Sequence, residues 1–154
     1  MSETERPRIL LVDDEGRVLE ALRRNLRNQF DITMATSGAE AIDILKRRGP
    51  FAVLVTDLRM PRMGGLELLA EARKLAPDTT RVLLTGKTDL ASAIASHPGG
   101  IDEGTIFRFL TKPLSLDLFL KALEAAVEHH RQAIAQRERM AAGMAGEQKE
   151  GIND

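Results

Sequence analysis

The chain has no cysteine, so neither a disulfide framework nor a thiolate metal site can form, and a reducing compartment such as the cytoplasm is the simplest expectation. Neither sign of charge dominates. Twenty-two lysines and arginines stand against 23 aspartates and glutamates, for a net charge of -1, which supplies no global pull towards nucleic acid or an anionic membrane. No run approaches the roughly 18 consecutive apolar residues of a membrane span, and the N-terminal MSETERPR carries acids without an apolar core of its own, unlike a secretory leader. GxGxxG, the P-loop, HExxH and a GxSxG that opens a helix are all missing. The basic spots at Arg23, Arg24, Arg27 and at Lys46, Arg47, Arg48 have no helix-turn-helix context and no interleaved aromatics, so they read as solvated faces. A soluble cytoplasmic protein is expected, with no membrane and no direct nucleic-acid partner.

What is present is a single core's worth of apolar residues, 43% of 154, in two alternating patterns. RILLVDD (8–14), FDITMAT (30–36), FAVLVTD (51–57), TRVLLTG (80–86) and IFRFLTK (106–112) are short, rich in Ile, Leu, Val and Phe, and end in polar or turn residues; they read as five strands. Helical spacing fills the intervals, at Val18, Leu19, Leu22, Leu26; at Ala39, Ala41, Ile42, Leu45; at Leu66, Leu68, Leu69, Ala72, Leu75; and at Leu90, Ala91, Ile94. A fifth helix opens at Ser115, a suitable N-cap, with Leu116, Leu120, Leu123 and Val127 on one stripe. Five βα repeats imply an α/β fold, a doubly wound parallel sheet with helices on both faces. Strands one, three and four are apolar nearly throughout, as central strands should be, whereas FDITMAT alternates and suits an edge.

Ligands of such sheets bind beyond the carboxyl ends of the strands. Those ends carry Asp13 and Asp14, Asp57, Thr85 and Lys112. Three acids on one rim repel, so one must stay protonated or a cation must join them. With no sulfur available and no histidine near the strand ends, a hard oxygen-seeking ion such as Mg2+ fits, and it would leave coordination positions for phosphate oxygens. Lys112 could supply a point charge and Thr85 a hydroxyl to the same oxygens. Asp57 is then the candidate nucleophile for an aspartyl-phosphate, in a reaction that depends on positioning and charge neutralisation.

LLVDDE, VTDLRMPRMGG, LLTG and FLTKP, in that order on successive strands, resemble the receiver domain of two-component response regulators over residues 8–128. The resemblance implies a flavodoxin-like (βα)5 fold of strand order 2-1-3-4-5. It implies that Asp57 takes a phosphoryl group from a sensor histidine kinase or a phosphotransfer protein. Asp14 would bind Mg2+ directly, Asp13 mostly through water, and the Arg59 backbone carbonyl would complete the protein ligands together with Asp57. Thr85 and Lys112 would hold the phosphoryl oxygens, the bond before Pro113 would be cis, and Phe109 would turn inward as Thr85 moves, altering the α4-β5-α5 face. Phe109 has no hydroxyl, so packing alone would hold the inward state.

Three features depart from that pattern. Arg59 and Lys87, two residues past Asp57 and Thr85, are both cationic and are expected to modulate hydrolysis of the phosphoryl group. The segment ASHPGGIDEGTIF is long, and Pro98, Gly99 and Gly100 should end the fourth helix early. The last helix continues its stripe through His130 and Ile134, which suggests a dimerising or signalling extension over 129–154, with the stretch beyond turning polar and fraying; residues 1–7 are expected to be disordered. His129 and His130 are adjacent and cannot share a helix face, which argues against paired metal ligation. The leading expectation is a phosphorylation-dependent switch and not an enzyme. Alternatives are a receiver fragment of a larger regulator, since TIFRFLTKPLSLD is similar to receivers preceding cyclic-di-GMP phosphodiesterases or AAA+ activators, and an aspartyl-phosphate phosphohydrolase of small metabolites.

Overall fold

A computed structural model describes residues 6–86, 89–97, 100, 102 and 104–153. Five strands, β1 (Arg8–Val12), β2 (Asp31–Ala35), β3 (Val53–Asp57), β4 (Thr80–Thr85) and β5 (Arg108–Thr111), alternate with α1 (Gly16–Leu26), α2 (Gly38–Arg48), α3 (Gly65–Leu75), α4 (Asp89–Ser96) and α5 (Leu116–Asn153). The strands form one sheet in the order β2-β1-β3-β4-β5, and every pairing is parallel. The fold is therefore flavodoxin-like and doubly wound, with β2 at one edge and β5 at the other.

Period-two alternation sends the apolar residues of the central strands to both faces. Ile9, Leu11, Val53, Val55, Val82 and Leu84 meet Leu19 and Leu26 of α1 and Phe119, Leu123, Ala126 and Val127 of α5. Leu10, Val12, Leu54 and Leu83 meet Ala41, Ile44 and Leu45 of α2 and Leu66, Leu68, Leu69 and Ala72 of α3. Both layers are close to fully buried, which fixes β1, β3 and β4 as rigid supports for the residues at their ends.

Several expectations change. Leu75 was placed on the α3 core stripe but is 42% exposed, because it is the last helical residue and its turn has already left the sheet. Leu116 is exposed for the corresponding reason at the start of α5, while Phe119, outside the expected stripe, is buried. Helix α4 spans only eight residues and buries none of its side chains; Leu90 and Ala93, not Ala91 and Ile94, lean on the core. Pro98 and Gly99, expected to end it, lie outside the described residues. Ser115 caps α5 by accepting the Leu118 N–H at 3.1 Å. Helix α5 is continuous to Asn153, and its last part is supplied with strong helix formers, Ala, Gln, Glu, Arg and Met. At the other terminus, the Pro7 carbonyl accepts the Asp31 N–H at 2.9 Å; residues 1–5 lie outside the described set.

Candidate functional site

The acidic rim is built by β1 and β3 ending side by side. Past Val12 the chain turns at Asp13, whose Oδ1 accepts the Glu15 N–H at 2.9 Å and so starts the turn into α1. Asp57 is the last residue of β3, held in register with Leu84 of β4. Behind it, α3 begins so close that a Cβ on Gly65 would lie 2.3 Å from the Asp57 carbonyl oxygen and 2.9 Å from the Leu58 Cα. Only glycine fits there, and the contact keeps the end of β3 from shifting.

Asp13, Asp14 and Asp57 can each offer one carboxylate oxygen such that all three lie within 4.8 Å of one another. Lys112 follows β5, fixed by its N–H to the Thr85 carbonyl at 2.8 Å. Its Nζ stands 2.9 Å from Asp57 and 3.8 Å from Asp13. The Lys112–Pro113 peptide bond is cis. Partial burial pulls the Lys112 ammonium down, but its hydrogen bond and attraction to Asp57, aided by Asp13 and Glu15, outweigh this and raise its pKa. Asp13 is raised as well. Burial is the largest cause, the charges of Asp57 and Asp14 add to it, and the Glu15 N–H and Lys112 offset it only in part.

One lysine therefore does not satisfy three acids. The Asp13 Oδ2 is buried and accepts no hydrogen bond, and a buried acceptor left so is costly. A hard divalent cation would complete this all-oxygen donor set and reverse the repulsion. The residues present fit Mg2+.

The other residues singled out from sequence lie round this centre. Thr85, at the end of β4, is buried, and its hydroxyl donates to the Gly86 carbonyl at 3.1 Å. Phe109 of β5 is 55% exposed and so stands in the outward position. Arg59 pairs with Asp89 at 2.9 Å, an interaction that raises its pKa through the hydrogen bond first and the charge second. Lys87 lies outside the described residues.

Sequence reasoning missed Asp89, whose only signal was an acid in the first turn of a helix. It also missed Arg81, buried in β4. The Arg81 guanidinium donates to the carbonyls of Thr105 at 2.8 Å, Gly104 at 3.0 Å and Thr79 at 3.0 Å, tying down the segment that leads into β5. His129 and His130, adjacent and read as unable to ligate a metal together, with His130 on the continuing stripe, anchor α5: the first bonds the Thr80 hydroxyl at 3.1 Å and lies 4.5 Å from the Phe107 ring, and the second donates to the Asp78 carbonyl at 2.7 Å.

The family model of the response regulator receiver domain matches residues 9–124. The hydrogenase transcriptional regulatory protein HoxA of Cupriavidus necator is 37% identical over 120 residues, 78% of this chain and 24% of that protein. This chain spans about a quarter of the length of the first curated relatives it matches. Among solved structures, an adenylate cyclase from Rhodopirellula baltica superposes with a TM-score of 0.81 at 36% identity, covering 88% of this chain and 98% of that one. The response regulator protein TrrA of Thermotoga maritima, solved in complex with Mg(2+)-BeF, gives 0.66 at 27% identity, covering 78% and 98%.

Proposed function

The chain belongs to the response regulator receiver domain family, and from that premise we propose that it is a switch thrown by phosphorylation of Asp57, with a sensor histidine kinase or a phosphotransfer protein as donor. The observation that carries this reading is the Asp57 carboxylate at the end of a buried strand, 2.9 Å from the Lys112 ammonium and beside Asp13, a buried acid whose Oδ2 accepts no hydrogen bond.

In the transfer, a carboxylate oxygen of Asp57 attacks the phosphorus of a phosphohistidine; the new O–P bond forms as the N–P bond breaks and the imidazole leaves with its electron pair. Asp13, Asp14, Asp57 and the Arg59 carbonyl would hold Mg2+, which when bound offsets the charge of the acids and of the incoming phosphoryl oxygens. Lys112, already at Asp57, moves with small displacement to a phosphoryl oxygen. The Thr85 hydroxyl exchanges the Gly86 carbonyl for another. Phe109 then has reason to leave solvent and pack into the space behind Thr85, changing the face formed by α4, β5 and α5. Arg59 and Lys87 act on the lifetime of the acyl phosphate. Beyond Arg131, the extension of α5, with Ile134 half-buried and Met140 exposed, offers a surface for a second copy of the chain.

The length of the relatives supports a role within, or on behalf of, a larger regulator whose output lies elsewhere. A phosphohydrolase would place a proton-transferring acid two residues after the nucleophile; Arg59 stands there. Incubation with acetyl phosphate and Mg2+ separates the two. One phosphoryl group per chain, lost slowly and absent from Asp57→Asn, is expected; rapid multiple turnover would replace the switch with a hydrolase.

A further inference from the structure

Arg59 and Asp89 are 30 residues apart in sequence, on the loop after Asp57 and on the first residue of α4. Their side chains meet at 2.9 Å while remaining 70% and 33% exposed. The Asp89 carboxylate also folds back on the end of β4: a Cβ added to Gly86 would come within 2.8 Å of its Oδ2, and the Asp89 N–H reaches the Gly86 carbonyl at 3.3 Å. That same carbonyl accepts the Thr85 hydroxyl. No side chain of α4 is fully buried, and the helix rests on the core only through the partly buried Leu90 and Ala93. The Arg59–Asp89 pair thus ties the first residue of α4 to the loop that carries the acceptor.

Phosphorylation alters the competition for Arg59. A carboxylate of charge -1 becomes a group of about -2 with three acceptor oxygens, two residues from a guanidinium whose planar fork suits phosphate. An exposed ion pair is weak enough to be exchanged. We propose that Arg59–Asp89 is a latch: Asp89 withholds Arg59 from the phosphoryl group in the resting protein, and capture of Arg59 by that group releases the start of α4. Asp89 is then a positioning residue that sets how tightly the phosphorylated state is held. The proposal rests on Asp57 being the acceptor.

Calorimetric titration with beryllofluoride in Mg2+, a phosphoryl mimic, tests it. Asp89→Asn should bind about three- to fivefold more tightly than the parent, a change of the size expected for one exposed pair. Arg59→Ala should bind more weakly, and the double variant should match Arg59→Ala, since the gain acts through Arg59. Hydrogen exchange at the described α4 amides of Asp89→Asn should rise to the level of the parent's beryllofluoride complex. Parent-like affinity in Asp89→Asn, or a gain that survives in the double variant, overturns the latch while leaving the acceptor reading intact. If the parent binds no beryllofluoride, or Asp57→Asn binds it equally well, the acceptor reading falls and the latch with it.

Discussion

At the scale of single residues, Asp13 shows how the site's chemistry conflicts with the fold's stability. Its carboxyl is held above the ordinary carboxylate range by burial and by its acidic neighbours. The folded chain therefore holds that proton more tightly than the unfolded chain, so this stabilising contribution is complete below the unfolded pKa and is lost as pH rises through the folded one. Without divalent cation, Asp13→Asn should be more stable than the parent at neutral pH by on the order of 1–2 kcal/mol, with the advantage shrinking in acid. Thermal melts across pH test this. Added Mg2+ should raise the parent's midpoint and leave the variant's nearly unmoved; a variant less stable than the parent at neutral pH would contradict it. Asp57, Asp13, Asp14 and Lys112 were legible in sequence because parallel strands must end on one rim, so residues at strand ends become neighbours whatever separates them in the chain. Asp89 was not, because a partner set by a loop and a short exposed helix leaves no periodicity to read.

At the scale of elements, legibility followed burial. The central strands, α1 and most of α3 obey their periods because two apolar layers enforce them, whereas in α2 the expected Ala39 is exposed and Ile44, outside the expected set, is buried. Helix α4, none of whose side chains is fully buried, kept only Leu90 of the stripe expected of it, and the terminal turns of α3 and α5 turned Leu75 and Leu116 to solvent. Arg81 is the charged exception in β4, which is otherwise apolar nearly throughout. Burial, and then the charge of Arg73, lowers its pKa, yet three close carbonyl bonds keep it in place. Arg81→Met should preserve the strand but leave those carbonyls without donors, at about 2–3 kcal/mol. Urea unfolding should register the loss, and amide exchange should quicken first at Gly104 and Thr105; uniform loosening of the sheet would point instead to a packing defect.

At the scale of the whole molecule, the acceptor and the α5 extension belong to opposite ends. Asp13, Asp14 and Asp57 sit where the strands finish, whereas Asp78, just before β4 begins, holds α5 through the His130 bond and an ion pair with Arg137. Ending the chain after Arg131 should therefore leave the rate of labelling by acetyl phosphate within about twofold of the parent, while abolishing any dimer detected by sedimentation. A chain that ends there and still dimerises would place the contact on the receiver body.

Helix α5 runs unbroken for 38 residues, roughly 57 Å at 1.5 Å per residue, and only its first part is gripped by the sheet. From Glu138 onward about 24 Å projects past the Arg137–Asp78 ion pair, the outermost tie of the helix to the body among the described residues. A tilt of about 5° about that tie, too small to open the interior, would swing the far tip by about 2 Å. Such a rod works as a lever, enlarging sub-ångström repacking beneath it into a displacement that a neighbour at its end could feel.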